Sequence, residues 1–166
     1  IENIRASKYE YNFRIGGRVC VDPYVKEVAG RENFGSPRDV QKHQVRGKLV
    51  SREYDWEGDE RLHIPWHQVT AYTFHVRGFT KHSSSRVPHK GTYRGVIEKL
   101  PYLKDLGINQ IQCMPVYEFD ECTGKKINYW GYGPAYYFAP KEAYAAGKSA
   151  VNELKDMVKA CHREGI

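Results

Sequence analysis

The chain has 166 residues, of which 40% are hydrophobic, and a formal net charge of +6. This size and composition fit one ordinary globular domain, and no apolar run approaches the length of a membrane span. The basic residues are scattered among acids rather than clustered, so the charge favours a solvated surface over a nucleic-acid interface.

The cysteines indicate a reduced protein without a zinc site. They form no Cys-x-x-Cys pair, and two of them fall inside apolar patterns where they behave as small core residues. We therefore expect free thiols and no bound cofactor, and a cytosolic location is favoured over a secreted one. The four positions are Cys20, Cys113, Cys122 and Cys161.

The first twenty or so residues predict a small antiparallel sheet. Four apolar side chains alternate with polar ones at the period of a half-buried strand, and Gly16-Gly17 supplies a two-residue hairpin turn before a return strand at 18–21. The alternating apolar residues are Tyr9, Tyr11, Phe13 and Ile15.

Periodicity is lost from residue 24 to residue 67. Glycines and prolines punctuate this stretch, and it contains one short predicted strand at 48–51. Connections of this length are usually functional or lie between domains. We therefore expect a domain boundary here and assign residues 1–45 to a first module, 46–68 to a linker and 69–166 to a second domain.

Strands and helices alternate from Thr70 onwards. Tyr72, Phe74 and Val76 predict a strand with one aromatic face, and a helix is expected from about Thr92 until Gly107, although a proline lies inside it. The next strand is predicted at 108–116. A strand–helix–strand order of these lengths implies parallel pairing through a right-handed crossover.

A second helix is predicted from about residue 150 to residue 163. Ser149 is placed to cap its first turn, and Gly165 ends it. Its apolar stripe consists of Val151, Leu154, Val158 and Cys161. Gly165-Ile166 repeats the glycine–isoleucine junction at 107–108, so a third parallel strand is expected to begin at residue 166.

An aromatic loop follows the second predicted strand. Parallel α/β folds bind ligands at the carboxyl ends of their strands, and residues 117–148 leave that end of the 108–116 strand. Tyrosine and tryptophan rings suit sugars, because they cover C–H groups while their polar atoms remain free. Aromatic residues in such a loop also commonly pack onto their own scaffold, so both interpretations stay open.

Four segments together resemble the opening of the α-amylase family catalytic barrel. Residues 72–80 read YTFHVRGFT, 90–107 read KGTYRGVIEKLPYLKDLG, 114–116 read MPV and 128–132 read NYWGY. The pullulanase, isoamylase and glycogen-debranching branch is the most similar. The resemblance implies an α/β fold made of the first strands and helices of a (β/α)8 TIM barrel. Less specifically, residues 11–24 are similar to the exit of the small β-sandwich carbohydrate-binding module that precedes such barrels.

The resemblance also implies sugar-binding residues. In this family the second tyrosine of the Trp-Gly-Tyr turn stacks under the sugar at the cleavage position, and here that residue is Tyr132. The other candidates are Trp130, Asn128 and Tyr129 of the same loop, which are expected to shape it, and two residues on the polar side of the first strand, His75 and Arg77. For this last pair, a hydrogen-bonded structural role is favoured over direct contact with a ligand.

Family chemistry is retaining hydrolysis by two carboxyl groups about 5 Å apart. The resemblance places both on later barrel strands, so no catalytic residue is assigned. Glu118, Asp120 and Glu121 lie on the long loop, where acids so close in sequence are expected to be solvated. We predict a fragment that cleaves no α-glucan by itself and that either self-associates through open sheet edges or folds poorly. The resemblance leaves calcium open for the longer parent protein, and no calcium ligand is assigned in this chain.

Three functions follow from these observations. The first is a piece of a hydrolase that acts on glycogen-like or starch-like α-glucans, and the second is a non-catalytic module that binds glucan. The third and weakest is nucleic-acid binding, which predicts an affinity that falls steeply with salt and ignores soluble glucan.

Overall fold

The computed structural model describes residues 5, 8–37, 42, 44–51, 53–122, 126–147 and 149–166. The strands are β1 (Glu10–Tyr11), β2 (Phe13–Ile15), β3 (Arg18–Cys20), β4 (Val28–Ala29), β5 (Arg46–Lys48), β6 (Ala71–Phe74), β7 (Gln110–Cys113), β8 (Tyr117–Glu118) and β9 (Tyr136–Pro140). The α-helices are α1 (Val76–Lys81), α2 (Tyr93–Ile97), α3 (Leu100–Asp105) and α4 (Ala150–Arg163). Within these ranges no helix has the length and apolar character that a bilayer span needs.

The N-terminal strands form two small antiparallel sheets. β1, β5 and β4 pair in that order, and β2 pairs with β3 across Gly16-Gly17. Both glycines have positive φ, +54° and +79°, as the predicted hairpin turn requires. The hairpin is confirmed, but the prediction that its first strand is half-buried is wrong. Phe13 and Ile15 are 46% and 66% exposed, because in the described chain this two-stranded ribbon pairs with no other strand.

The segment assigned as a linker is packed against the rest of the chain. β5 pairs with β1 and β4, so its strand begins two residues before the predicted 48–51 and belongs to the N-terminal sheet. The Tyr54 hydroxyl lies 2.5 Å from an Asp156 carboxylate oxygen. The Lys159 ammonium donates to the carbonyl of Asp55 at 3.0 Å. Side chains of α4 therefore hold the linker in place.

The predicted parallel pairing is confirmed. β6 and β7 pair in parallel, with Ala71 opposite Gln110 and Phe74 opposite Cys113. β6 ends at Phe74 rather than continuing to Val76, because His75 caps α1 there. The crossover helix is divided into α2 and α3. Pro101 occupies the first turn of α3, where a missing N–H removes no helical hydrogen bond.

The bounds predicted for α4 are confirmed. Ser149 accepts a hydrogen bond from the Asn152 amide at 3.3 Å, as expected of an N-cap. The buried face is rotated from the predicted stripe, because Glu153 is turned inward to accept hydrogen bonds from the amides of Ala146 and Gly147. The buried residues of this helix are Ala150, Glu153, Met157, Lys159 and Cys161.

Two apolar clusters form the core. The larger one lies between the β6–β7 pair and the helices, and it includes Phe74, Val96, Leu103 and Tyr144. The smaller one joins the N-terminal sheet to β9, and it contains Val25, Val28, Val45 and Ala139. The two parts of the chain are therefore packed together through β9. The four cysteines are free thiols.

Candidate functional site

A short antiparallel ribbon carries the aromatic loop. β8 pairs with β9, with Glu118 opposite Tyr136 and Tyr117 opposite Pro140. All of these residues fall within the loop predicted at 117–148. A two-residue strand is too short for alternation to reveal. The ribbon fixes the two ends of the loop, at residues 119 and 135, beside each other.

The side chain of Asn128 holds the tip of this loop together. Its Oδ1 accepts from the amide of Gly131 at 3.1 Å, and its Nδ2 donates to the carbonyl of Tyr132 at 3.1 Å. Such local bonds are the reason asparagine favours tight turns. The turn leaves Trp130 and Tyr132 54% and 68% exposed. Two large rings of the predicted site are therefore accessible from solvent.

His75 ties the loop to the carboxyl end of β6. Its Nε2 lies 2.9 Å from the carbonyl oxygen of Tyr129 and 2.9 Å from the hydroxyl of Tyr144. The imidazole stacks on the Tyr129 ring, with centroids 4.5 Å apart and planes 17° from parallel. His75 is only 5% exposed. The structure thus places it in the interior, in the hydrogen-bonded role that the sequence favoured.

Arg77 lies on α1 rather than on the first strand. Its guanidinium group sits over the ring of Phe34, 4.4 Å from the centroid, in a cation–π contact. Phe34 comes from the N-terminal part of the chain, and its ring also meets Tyr129 edge-on at 5.8 Å and stacks on Tyr144 at 6.2 Å. Arg77 therefore supports the residues beneath the loop.

Two of the three loop acids are buried, so the solvation predicted for them is wrong. Glu118 and Glu121 are 1% and 0% exposed. The ammonium of Lys141 lies 2.5 Å from Glu118 and 2.6 Å from Glu121. Arg31 forms ion pairs with both glutamates and with Asp120. We call these five residues the ionic cluster. Its two glutamates can be buried because two cations compensate their charge, whereas the Asp120 side chain keeps 26% exposure.

Burial changes the pKa values of two members of this cluster. Desolvation raises the pKa of Glu118 and lowers that of Lys141, and the attraction between the two charges opposes both changes. Neither glutamate is available to a substrate, because both point into the protein and are paired. In the described residues, no group of three potential metal ligands lies close enough to hold an ion.

The sequence missed the supports beneath the loop. Arg31, Phe34, Lys141 and Tyr144 all contact loop residues or their partners, yet none was a candidate. Arg31 and Phe34 fall in the stretch without periodicity, where no pattern indicates a contact. Lys141 directly follows an aromatic strand and carries a charge, which normally indicates exposure.

Comparison with known proteins assigns the fold to a family. The model of the alpha amylase catalytic domain matches residues 52–166. The chain therefore belongs to the alpha-amylase family.

The more similar relatives place the chain in the pullulanase, isoamylase and glycogen-debranching branch. Isoamylase 1 of Arabidopsis thaliana is 38% identical over 96% of this chain and 23% of its own length. The glycogen operon protein GlgX homolog of Haemophilus influenzae is 35% identical over 95% of this chain and 28% of its own. The chain thus spans about a quarter of the length of these relatives.

Solved structures agree on the fold. A pullulanase from Anoxybacillus sp. LM18-11, complexed with maltotetraose, superposes with a TM-score of 0.67 at 28% identity, over 95% of this chain and 25% of the pullulanase. The apo pullulanase of Paenibacillus barengoltzii gives a TM-score of 0.71 at 23% identity, over 95% of this chain and 27% of that protein. The fold is therefore the mixed α/β fold of this family.

Proposed function

We propose that this chain supplies part of the sugar-binding surface of an α-glucan-acting glycoside hydrolase, with Tyr132 as the principal contact and Trp130 beside it. The observation that carries the proposal is the exposed aromatic turn at the carboxyl ends of parallel strands, held there by His75. The complex of a related pullulanase with maltotetraose supports an α-glucan as the partner.

The proposed architecture follows from the parallel pair. Residues 69–166 would be the first two βα units of a (β/α)8 barrel, which takes about 250 residues in full. The antiparallel sheet before them would be the end of a small β-sandwich module that binds carbohydrate. The parallel register of β6 and β7 and the crossover through α2 and α3 support this division. The free cysteines support a cytosolic location.

The chemistry of the longer parent protein is proposed to be retaining hydrolysis. A nucleophilic carboxylate and a general acid would flank the scissile bond, about 5 Å apart. The acids beside the loop in this chain are neutralised by Arg31 and Lys141, which supports locating the catalytic pair elsewhere. The same observation favours the second candidate, a module that binds glucan without cleaving it, for this chain by itself.

Replacing Tyr132 by alanine tests the proposed surface. We expect the dissociation constant for maltotetraose, measured by calorimetry, to rise about tenfold or more, as for a central aromatic contact. Tyr137→Ala is the matched control, because Tyr137 is similarly exposed at 64% but lies on β9. In the same samples, pullulan should release no reducing sugar. Equal losses in both variants, or reducing sugar from the chain alone, would contradict the proposal.

Self-association is a separate proposal. β7 pairs only with β6 among the described strands, so the backbone groups along its other edge are open to another chain. Residues of β7 also line a groove of about 570 Å³, together with Leu62, Ile64, Val158 and Cys161 among others. Sedimentation velocity should show concentration-dependent oligomers of the 166-residue chain. A monomer at all concentrations would contradict it.

A further inference from the structure

The proton of His75 is placed by its neighbours. The amide of Gly78 donates to Nδ1 at 3.0 Å, as the first turn of α1 requires. A backbone N–H can only donate, so Nδ1 carries no hydrogen. Burial and the nearby charge of Arg77 lower the pKa of His75 below its usual 6.5 and outweigh the opposing hydrogen bond to Tyr129. The ring is therefore neutral and its single proton is on Nε2.

This tautomer fixes the direction of the loop contact. The Nε2–H group lies within hydrogen-bond distance of two oxygens. Nε2 is 2.9 Å from the carbonyl oxygen of Tyr129 and 2.9 Å from the hydroxyl oxygen of Tyr144. A carbonyl can only accept, so the histidine is the donor. One imidazole thus caps α1 through one nitrogen and grips the aromatic loop through the other.

The contact of His75 with the loop also affects Tyr132, the proposed sugar contact. Asn128 binds both Gly131 and Tyr132 through its side chain, so residues 128–132 form one closed turn. Tyr129 lies inside that turn. Its carbonyl is the acceptor for His75, and a displacement of this carbonyl would carry Tyr132 with it.

We propose that His75 is a positioning residue for glucan recognition, which holds the 128–132 turn in its binding conformation by donating Nε2–H to the carbonyl of Tyr129. This rests on the proposed function of Tyr132. His75 itself is buried and touches no sugar. Its Nδ1 caps α1 and its Nε2 holds the loop. Because these contacts can be removed separately, the inference can be tested.

Two substitutions separate the two nitrogens. In His75→Asn the side-chain oxygen can replace Nδ1 as the helix cap, since asparagine is among the best N-caps, but the side chain is too short to reach Tyr129. In His75→Gln the amide nitrogen extends to the position of Nε2, whereas glutamine is a poor cap. The first variant therefore keeps α1 and releases the loop, and the second does the reverse.

The two variants should rank in opposite orders for maltotetraose affinity and for melting temperature. His75→Asn should weaken maltotetraose binding up to about tenfold, the worth of one hydrogen bond, and His75→Gln by less. The melting temperature should fall more for His75→Gln than for His75→Asn, because only the former loses the cap. If the affinities instead follow the melting temperatures, His75 serves stability alone and the inference is wrong.

Measurements on the free protein keep this test independent of the proposed function. Side-chain ¹H–¹⁵N correlation spectra should show the neutral Nε2–H form of His75. Exchange of the Gly131 amide should be faster in His75→Asn than in His75→Gln. An Nδ1–H tautomer, or equal exchange in both variants, would overturn the inference. Absence of maltotetraose binding with these two results intact would instead sink the proposed function.

Discussion

Replacing Lys141 by methionine is expected to lower the free energy of unfolding by about 3–5 kcal/mol, the usual effect of removing one partner from a buried ion pair. Lys141 is 0% exposed and lies between Glu118 and Glu121. Methionine fills a similar volume, so the loss comes from the charge that is left unpaired. Since small domains are stable by about 5–15 kcal/mol, urea unfolding followed by circular dichroism should show a much lower midpoint.

Lys104→Met is the matched control for this experiment. Lys104 forms an ion pair of similar length with Glu164, at 2.8 Å, but the two side chains are 49% and 43% exposed. Exposed pairs contribute about 0–1 kcal/mol. A loss for Lys141→Met as small as that for Lys104→Met would mean that the ionic cluster does not stabilise the fold.

The loss should also depend on pH. Burial raises the folded pKa of Glu118 above 4.5, and Lys141 opposes this change, so the variant raises it further. A native state with a raised carboxyl pKa holds its proton more tightly than the unfolded chain. The associated stability is therefore complete below pH 4.5 and is lost as the pH rises through the folded pKa. Lys141→Met should lose more stability at about pH 8 than at about pH 5.

The elements that the sequence predicted well are those whose signal is local. α4 has a cap at Ser149, and its predicted ends agree with the structure. The parallel order of β6 and β7 follows from their separation by one helical segment, because a short hairpin cannot join parallel strands. The exposed rings of Trp130 and Tyr132 lie in a turn with a recognisable sequence. Each of these features is encoded in one contiguous stretch of the chain, of which the longest is the strand–helix–strand segment from Ala71 to Cys113.

The elements that the sequence missed depend on distant partners. Arg31 and Asp120 are 89 positions apart and meet only in the fold. No pattern within either segment distinguishes a buried, compensated charge from a solvated one. The end of β6 was missed for a related reason. His75 caps α1, yet histidine is not among the residues usually preferred at that position, so its alternation with Phe74 and Val76 looked like strand.

The ionic cluster is connected to the aromatic turn through Phe119. Lys141 lies against the ring of Phe119, with its ammonium 4.5 Å from the centroid, and donates to the Phe119 carbonyl at 3.1 Å. The ring of Phe119 is fully buried and packs against the aromatic turn at Gly131. Two contacts thus hold the turn in place: the Phe119 ring packs at Gly131, and His75 bonds the Tyr129 carbonyl. Its position therefore depends on contacts from the loop itself and from the end of β6.

Replacing Gly131 by alanine should displace the turn. Its φ is +83°, and a Cβ atom there would lie 2.5 Å from a ring carbon of Phe119, a ring that is buried and unable to swing aside. We expect the left-handed backbone to cost about 1 kcal/mol and the overpacking about 1–3 kcal/mol more. Maltotetraose affinity should fall as well, because Tyr132 is the next residue.

Gly133→Ala separates the two contributions. Gly133 is in the same loop with φ at +87°, but a Cβ atom there would meet nothing within 4 Å. This control carries the backbone strain without the collision, so its unfolding free energy should fall by only about 1 kcal/mol. The difference between the variants measures how firmly Phe119 fixes the turn. Equal losses of stability and affinity in the two variants would mean that the turn shifts freely past Phe119, and its proposed dependence on this ring would then be refuted.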